Sequence, residues 1–284
     1  MEREVSDSDF RLFVKTVRQY SKYDFSDYSD KSLKRMVGKV IADKKTDINR
    51  LVRDISNNSD YLESIINKVT VNTTELFRDP SVWKFLRKKV LPGLKTWSTI
   101  NIWHAGCSTG QEVYSMLILL NEAGLFDRAR VIATDINSEV LKVARSGKYR
   151  YRFNKGYLEN FDLVVGRSRD KSTGAANVPY SRYLDVDEER DIISIKPFLL
   201  EKPVFKKHDL VAGEVSYPGK FDLIICRNVV IYFNHSLQNR IFEMFCNNLH
   251  PGGILVIGSH ETIASPVSDR FIRTGHAYKK PGIF

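Results

Sequence analysis

Apolar residues recur along the first part of the chain at the spacing of one helix face. Phe10, Phe13, Val14 and Val17 fall at i, i+3, i+4 and i+7 behind Ser6-Asp-Ser-Asp9, a cap-like start. Leu33, Met36, Val37, Val40 and Ile41 repeat the pattern and predict a second helix over about 31–43. Residues 6–67 therefore read as a small helical domain. A linker is expected at 67–72, then a helix over 78–90 that Pro92-Gly93 stops. From residue 100 the rhythm changes. Short apolar runs at 100–105, 130–135, 221–226 and 254–259 alternate with helical stretches, the pattern of a parallel sheet with helices on both faces. Pro251-Gly-Gly253 predicts a turn into the last of these strands, and 271–279, centred on Gly275, a terminal antiparallel hairpin. Residues 149–207 interrupt the alternation. They hold the polar run Arg167-Ser-Arg-Asp-Lys-Ser-Thr-Gly-Ala-Ala-Asn177 and the strand-like Ile192-Ile-Ser-Ile195, and read as an inserted antiparallel unit or loop outside the main sheet.

Composition adds three constraints. At 284 residues with 42% hydrophobic and 27% charged, the chain suits one large globular domain plus a small one. No apolar run approaches the ~18–20 residues that span a bilayer, and Met-Glu-Arg-Glu-Val-Ser-Asp is too polar for a signal peptide. Cys107, Cys226 and Cys246 form no Cys-x-x-Cys pair, which points to free thiols in a reducing cytoplasm. The six histidines show no ligand spacing, so no metal is expected. A net charge of +10 predicts a negatively charged partner, either nucleic acid or an acidic protein.

The densest chemical signal is Asn101-Ile-Trp-His-Ala-Gly-Cys-Ser-Thr-Gly110, followed by the apolar Gln111-Glu-Val-Tyr-Ser-Met-Leu-Ile-Leu-Leu120. A strand entering a small-residue turn and then a helix lets a ligand lie on bare backbone at a helix N-terminus. Asp135 ends the next apolar run, about where a nucleotide-binding unit presents a carboxylate to ribose. Neither an NTPase phosphate loop nor a Gly-x-Gly-x-x-Gly fingerprint is present. The looser turn suits a cofactor without pyrophosphate, with S-adenosylmethionine the leading candidate. An ordinary strand–helix turn without ligand is the alternative at this point.

Three more motifs sharpen the picture: Asn72-Thr-Thr-Glu-Leu-Phe-Arg-Asp-Pro80, Phe221-Asp-Leu-Ile-Ile-Cys-Arg-Asn-Val-Val-Ile-Tyr-Phe233, and Leu249-His-Pro-Gly-Gly-Ile-Leu-Val-Ile-Gly-Ser-His-Glu261. With the glycine turn, they make the chain resemble the CheR-type chemotaxis receptor methyltransferases over about 71–116, 131–152 and 221–262. The N-terminal Ser6-Asp-Ser-Asp-Phe-Arg-Leu-Phe13 fits more loosely. The resemblance implies a class I S-adenosylmethionine-dependent methyltransferase: an α/β, doubly wound, mostly parallel sheet with an antiparallel terminal hairpin. A small all-α domain would precede it, and a small β subdomain or loop would be inserted. Domains are expected at 1–70 (helical), 71–98 (linker and helix completing the cofactor site) and 99–284 (methyltransferase, with the insert at about 157–203).

The implied activity is methyl transfer from S-adenosylmethionine, leaving S-adenosylhomocysteine, to glutamate side chains of a chemoreceptor-like protein. Carried over by position, Asn72, Thr74 and Arg78 fall on the cofactor-contacting linker motif, with Arg78 also near the transferred methyl. Gly106 and Glu112 belong to the glycine turn and the acidic position after it, and Asp135 is the ribose carboxylate. Asp209 and Leu210 sit at the adenine, Arg227 and Asn228 beside the methionine part, and Tyr232 at the reaction centre. Arg78 and Tyr232 are the candidate catalytic residues.

The chemistry agrees. A glutamate is ionised at neutral pH, with a reference pKa of about 4.3, so no general base is needed. What remains is alignment and water exclusion. An arginine such as Arg78 holds a carboxylate in a fixed fork; a surface ion pair with Asp79 or Glu75 is its plain alternative. Tyr232 can present its ring to a sulfonium or can be simple core packing. The basic side of the second helix, with Lys31, Lys34, Arg35, Lys39 and Lys44, is the expected docking face for an acidic helical substrate; a solvated charged face is the alternative. The chain is expected to act as a monomer, without stable nucleic-acid binding.

Gln111 replaces the family's usual glutamate, Asp209 its usual asparagine, and Gly258-Ser-His-Glu261 reorders its Gly-His-Ser-Glu. The insert lacks the pattern with which many members grip a receptor tail. The rival readings are a nucleic-acid methyltransferase, against which the loop Cys226–Tyr232 lacks the proline of base-flipping enzymes, and a non-catalytic cofactor-binding module.

Overall fold

The computed structural model describes residues 5–166, 178–213, 217 and 219–282. The polar run 167–177 lies outside the described residues. Four helices open the chain: α1 (Asp7–Tyr20), α2 (Asp30–Asp43), α3 (Ile48–Asn57) and α4 (Ser59–Val69). Side chains of Ser6, Asp47 and Asn58 accept from the amides of Asp9, Arg50 and Tyr61. Each such cap contributes about 1 kcal/mol. The apolar stripes of α1 and α2 are buried as their spacing predicts. Helix α4 runs to Val69, so half of the expected linker is helical. The next helix, α5 (Pro80–Phe85), starts at the proline rather than at residue 78, and continues as a wider π turn over Leu86–Val90.

The remaining strands are β1 (Ile100–Ala105), β2 (Ala129–Asp135), β3 (Lys148–Arg150), β4 (Leu184–Asp187), β5 (Ile192–Ile195), β6 (Pro203–Lys207), β7 (Phe221–Cys226), β8 (Leu249–Ile257), β9 (Ile272–Thr274) and β10 (Ala277–Lys279). Helices α6 (Gln111–Glu122), α7 (Ser138–Ser146), α8 (Gly156–Phe161), α9 (Pro197–Leu200) and α10 (His235–Asn248) lie between them. The large sheet has the order β6-β2-β1-β7-β8-β10-β9. Its first five strands are parallel; β10 runs antiparallel between β8 and β9. This is the doubly wound arrangement with the expected terminal hairpin. The switch point lies between β1 and β7, and ligands of such sheets sit at the carboxyl ends of the strands there.

From Leu223, beyond the register shift that follows Phe221, side chains along β7 alternate between two cores. Phe221, Ile224 and Cys226 join a cluster with the N-terminal helices and α10, whereas Leu223 and Ile225 join one with α5 and α6. The buried residues of α1–α4 thus share one core with a face of the sheet. Helix α6 is buried from Gln111 through Leu120; its polar Gln111, Glu112 and Ser115 are hydrogen-bonded there.

Two expectations need correction. Pro251-Gly-Gly253 is no turn: it lies within β8, which starts at Leu249, and the pairing with β7 shifts register there. Residues 203–207 are not outside the main sheet, since β6 is its edge and pairs parallel with β2. The smaller sheet, order β3-β5-β4, is antiparallel as expected. Among the described residues, no helix is long and apolar enough to cross a membrane.

Candidate active site

A cavity opens where β1, β2, β6 and β7 end. It is lined by Gly106, Cys107 and Ser108 after β1, Asp135 and Ile136 at the end of β2, His208–Leu210 after β6, and Arg227–Val229 after β7. The linker adds Thr73, Thr74 and Arg78, and the N-terminal helical region adds Tyr28 and Met36. Of the candidate catalytic and cofactor-binding residues, all but Asn72 line it. Asn72 instead supplies its backbone carbonyl to Ser108 Oγ at 3.1 Å, and lines two neighbouring grooves.

The glycine turn is held from both sides. Gly106 has φ +80° and packs on Val229, whose Cγ2 would lie 2.4 Å from any Cβ there. Gly110, at φ +92°, caps α6. Both need the left-handed backbone that glycine adopts freely. Ser108 donates its amide to Asp135 Oδ2 at 2.8 Å, and Asn137 donates to Oδ1 at 2.9 Å. Each carboxylate oxygen keeps acceptor capacity for a further donor. Burial raises the Asp135 carboxyl above its ordinary value, and the backbone amides only partly oppose this. Burial also raises Asp209, whose carboxylate accepts from Val211 N at 2.9 Å.

Beneath the other end lies a buried charge cluster. Glu112 accepts from Arg227 Nη1 at 3.4 Å and contacts His104 Nδ1 at 3.0 Å. Arg227 Nη2 reaches Asp79 Oδ2 at 2.7 Å and the carbonyl of Arg78 at 3.0 Å. The Arg227 side chain is only 2% exposed. Such a charge is tolerable because two carboxylates face it. Its Nε is buried without a partner among the described residues.

The linker is wound tightly around Arg78. Phe77 and Asp79 on either side have φ of +53° and +57°, sparsely populated for side-chain-bearing residues. Phe77 N donates to Ser115 Oγ at 2.7 Å, and Trp83 Nε1 to the Arg78 carbonyl at 2.8 Å. The main chain is therefore fixed while the guanidinium is loosely held, donating among the described residues only to the Thr73 carbonyl at 3.3 Å. Arg78 makes no ion pair with Asp79 or Glu75; Arg227 takes Asp79 instead. Tyr232 lies in a short 3-10 turn, half-buried. Burial raises its hydroxyl pKa, while Arg35 and Arg78 pull it down, so both guanidinium groups lie within electrostatic reach of the phenol.

Glu261, to which the sequence assigned no role, supports the cavity wall. Its buried carboxylate accepts from the amides of Asn228 (2.9 Å), Val229 (2.9 Å) and Gly258 (2.5 Å). Asn228 sits at φ +58°, and these bonds hold that strained backbone at the cavity. The signal was the glutamate ending the third motif. Tyr28 and Met36 were also missed as lining residues.

The model of the family described as "CheR methyltransferase, SAM binding domain" matches residues 72–165 and 171–278. The chain belongs to the CheR methyltransferase family. It is 35% identical to Cher3 of Pseudomonas putida, a protein named as a methyltransferase, over 94% of this chain and 93% of that one. Identity to the chemotaxis protein methyltransferase of Listeria monocytogenes is 28% over 92% of each chain. To the protein of that name in Borreliella burgdorferi it is 31%, over 77% of this chain and 74% of the relative. Likeness to the solved N-methyltransferase NodS of Bradyrhizobium japonicum is remote, with TM-score 0.37 at 14% identity, covering 72% of this chain and 99% of that one.

This CheR chain is thus an S-adenosylmethionine-dependent methyltransferase of the class I fold. The cavity suits that cofactor: it pairs a carboxylate with spare acceptor capacity, Asp135, with the buried guanidinium of Arg227 and the bare backbone of Gly106.

Proposed function

We propose that this enzyme methylates glutamate side chains of a chemoreceptor signalling domain, in the cytoplasm and as a monomer. The observation that carries this reading is the pair Arg78 and Tyr232 in the cofactor cavity, with Arg35 in the groove beside it. A groove lined by Arg35, Lys39, Lys68 and a single carboxylate, Asp43, adjoins it and shares Met36, Thr70, Val71 and Thr73 with it. A glutamate on an acidic helix is drawn to such a surface.

When bound, S-adenosylmethionine supplies a sulfonium methyl that a carboxylate oxygen takes as the carbon–sulfur electron pair remains on sulfur, with no proton transferred. The protein's part is placement. Asp135 holds the ribose, Asp209 and Leu210 flank the adenine, and Glu112, Arg227 and Asn228 shape the methionine end with Thr74. Arg78 orients the substrate carboxylate, and Tyr232 shields the reacting centre from water. Asn72 acts through its backbone bond to Ser108. Residues 1–70 act as the docking domain, 71–98 complete the cofactor site, and 99–284 carry the catalytic fold with its insert at about 157–203.

Docking falls on α2, chiefly on the exposed Lys31, Arg35 and Lys39. Lys34 is engaged within the N-terminal helices: it pairs with Asp7 and lies over the Phe10 ring. Lys44 lies 4.6 Å from the centroid of the Tyr61 ring. The test is transfer of labelled methyl to a purified chemoreceptor signalling domain, with release of methanol by mild base as the mark of a glutamyl ester. The joint change Arg35→Glu and Lys39→Glu should raise KM several-fold, about 1 kcal/mol at modest ionic strength, and leave cofactor affinity unchanged. Base-stable label, or an unchanged KM, would count against the respective half of the proposal.

A further inference from the structure

Tyr28 lies in the turn between α1 and α2, far in sequence from every cofactor motif, yet it lines the cavity with Asp135 and Asp209. It is 8% exposed. Its ring stands edge-on to Phe25 at 4.6 Å and to Phe233 at 4.9 Å. The backbone is fixed as firmly. Tyr28 and Phe233 form an antiparallel bridge, Ser29 N donates to the Tyr232 carbonyl at 2.8 Å, and Asn234 N donates to the Asp27 carbonyl at 2.9 Å. Asp27 also accepts from Asn234 Nδ2 at 3.1 Å and from Arg240 Nη2 at 2.5 Å.

The hydroxyl is different. It makes no hydrogen bond to a described residue and, unlike the ring, is not shut away from solvent: it opens on the cavity. Burial raises its pKa, and the charges of Asp209 and Asp135 add to this, so the oxygen is near enough to feel both carboxylates. A rigidly held phenol donor that lines one cavity with two carboxylate acceptors is preorganised for a hydroxyl- and nitrogen-rich ligand.

We propose that Tyr28 is a cofactor-contacting residue, its hydroxyl bonding the nucleoside part of S-adenosylmethionine between Asp135 and Asp209, and its ring walling that part off from the N-terminal helices. The proposal rests on Asp135 as the ribose acceptor. The competing account is that Tyr28 only fills the core between Phe25 and Phe233.

Tyr28→Phe separates the two, because it keeps both ring contacts and removes only the oxygen. The experiment is calorimetric titration of the full chain with S-adenosylhomocysteine and with adenosine, alongside thermal melting, for wild type, Tyr28→Phe, Tyr28→Ala and Asp135→Ala. Tyr28→Phe should melt like wild type and bind both ligands about three- to ten-fold more weakly, the size of one neutral hydrogen bond. Tyr28→Ala should lose more. Wild-type affinity in Tyr28→Phe, with binding lost in Asp135→Ala, would overturn the proposal and leave the site intact. Weaker binding of S-adenosylhomocysteine with adenosine unchanged would overturn the nucleoside assignment. Undiminished binding in Asp135→Ala would instead remove the reading on which the proposal stands.

Discussion

The two ends of the cavity are built differently. At the strand ends, Asp135, Glu112 and Glu261 each meet two or more donors at fixed positions. At the linker and the α2 side, Arg78 has one long bond to a carbonyl, and Arg35 and Lys39 are exposed. A cofactor has one shape and rewards rigid, preorganised contacts. A protein substrate presents its glutamates on a larger surface, and long cationic side chains can adapt to it. On the function proposed above, this contrast separates binding of the cofactor from handling of the substrate.

The largest expected effect breaks the rigid end. Asp135→Ala removes the acceptor proposed for the ribose, and two charge-assisted bonds correspond to a loss of at least about 100-fold in S-adenosylhomocysteine affinity. Calorimetry reads this directly, and a loss under ten-fold would move the ribose elsewhere.

Arg78→Ala breaks the adaptable end. With its carboxylate fork gone, kcat should fall about 10- to 100-fold in single-turnover transfer to the receptor domain. A rate near wild type would take Arg78 off the reacting centre. Glu261→Gln tests whether the rigid end depends on its support. The new amide sets a donor among three backbone donors, at a cost of about 1–3 kcal/mol. A Tm lower by several degrees and a several-fold weaker cofactor affinity should appear together; an unchanged Tm would mean that the Asn228 turn holds itself.

The smallest effect is a pH dependence. Asp135 accepts most strongly from the proposed ribose hydroxyls when ionised, and burial holds its carboxyl above 3.8. Affinity should therefore be full at neutral pH and fall on acidification, starting at a pH above 3.8, with Asp135→Ala showing a flatter profile. A wild-type affinity constant down to pH 4 would contradict this sign.

Legibility in the sequence followed the same division. Central strands buried on both faces, such as Phe221-Asp-Leu-Ile-Ile-Cys226, read plainly as apolar runs. The edge strand β6 did not, because Pro203-Val-Phe-Lys-Lys207 is half exposed and begins with proline. The start of β8 looked like a turn because a Pro-Gly-Gly bulge has turn composition. The glycine turn and Asp135 were visible because their spacing is local. Tyr28 and Glu261 were not assigned, since what they do depends on partners brought close only by folding: Phe233 for Tyr28, and the amides of Asn228 and Val229 for Glu261. The charges of α2 were legible as a set, but not which of them are free. Lys34 is engaged by Asp7 and Phe10 from the neighbouring α1.

The most direct test of the separation between the two ends is titration of wild type and Arg78→Ala side by side with S-adenosylhomocysteine. Equal affinities, within about three-fold, in a variant whose turnover has collapsed would show that cofactor binding and substrate handling are held by different parts of the site. A loss of affinity that matches the loss of turnover would contradict the account and make cofactor binding the main role of Arg78.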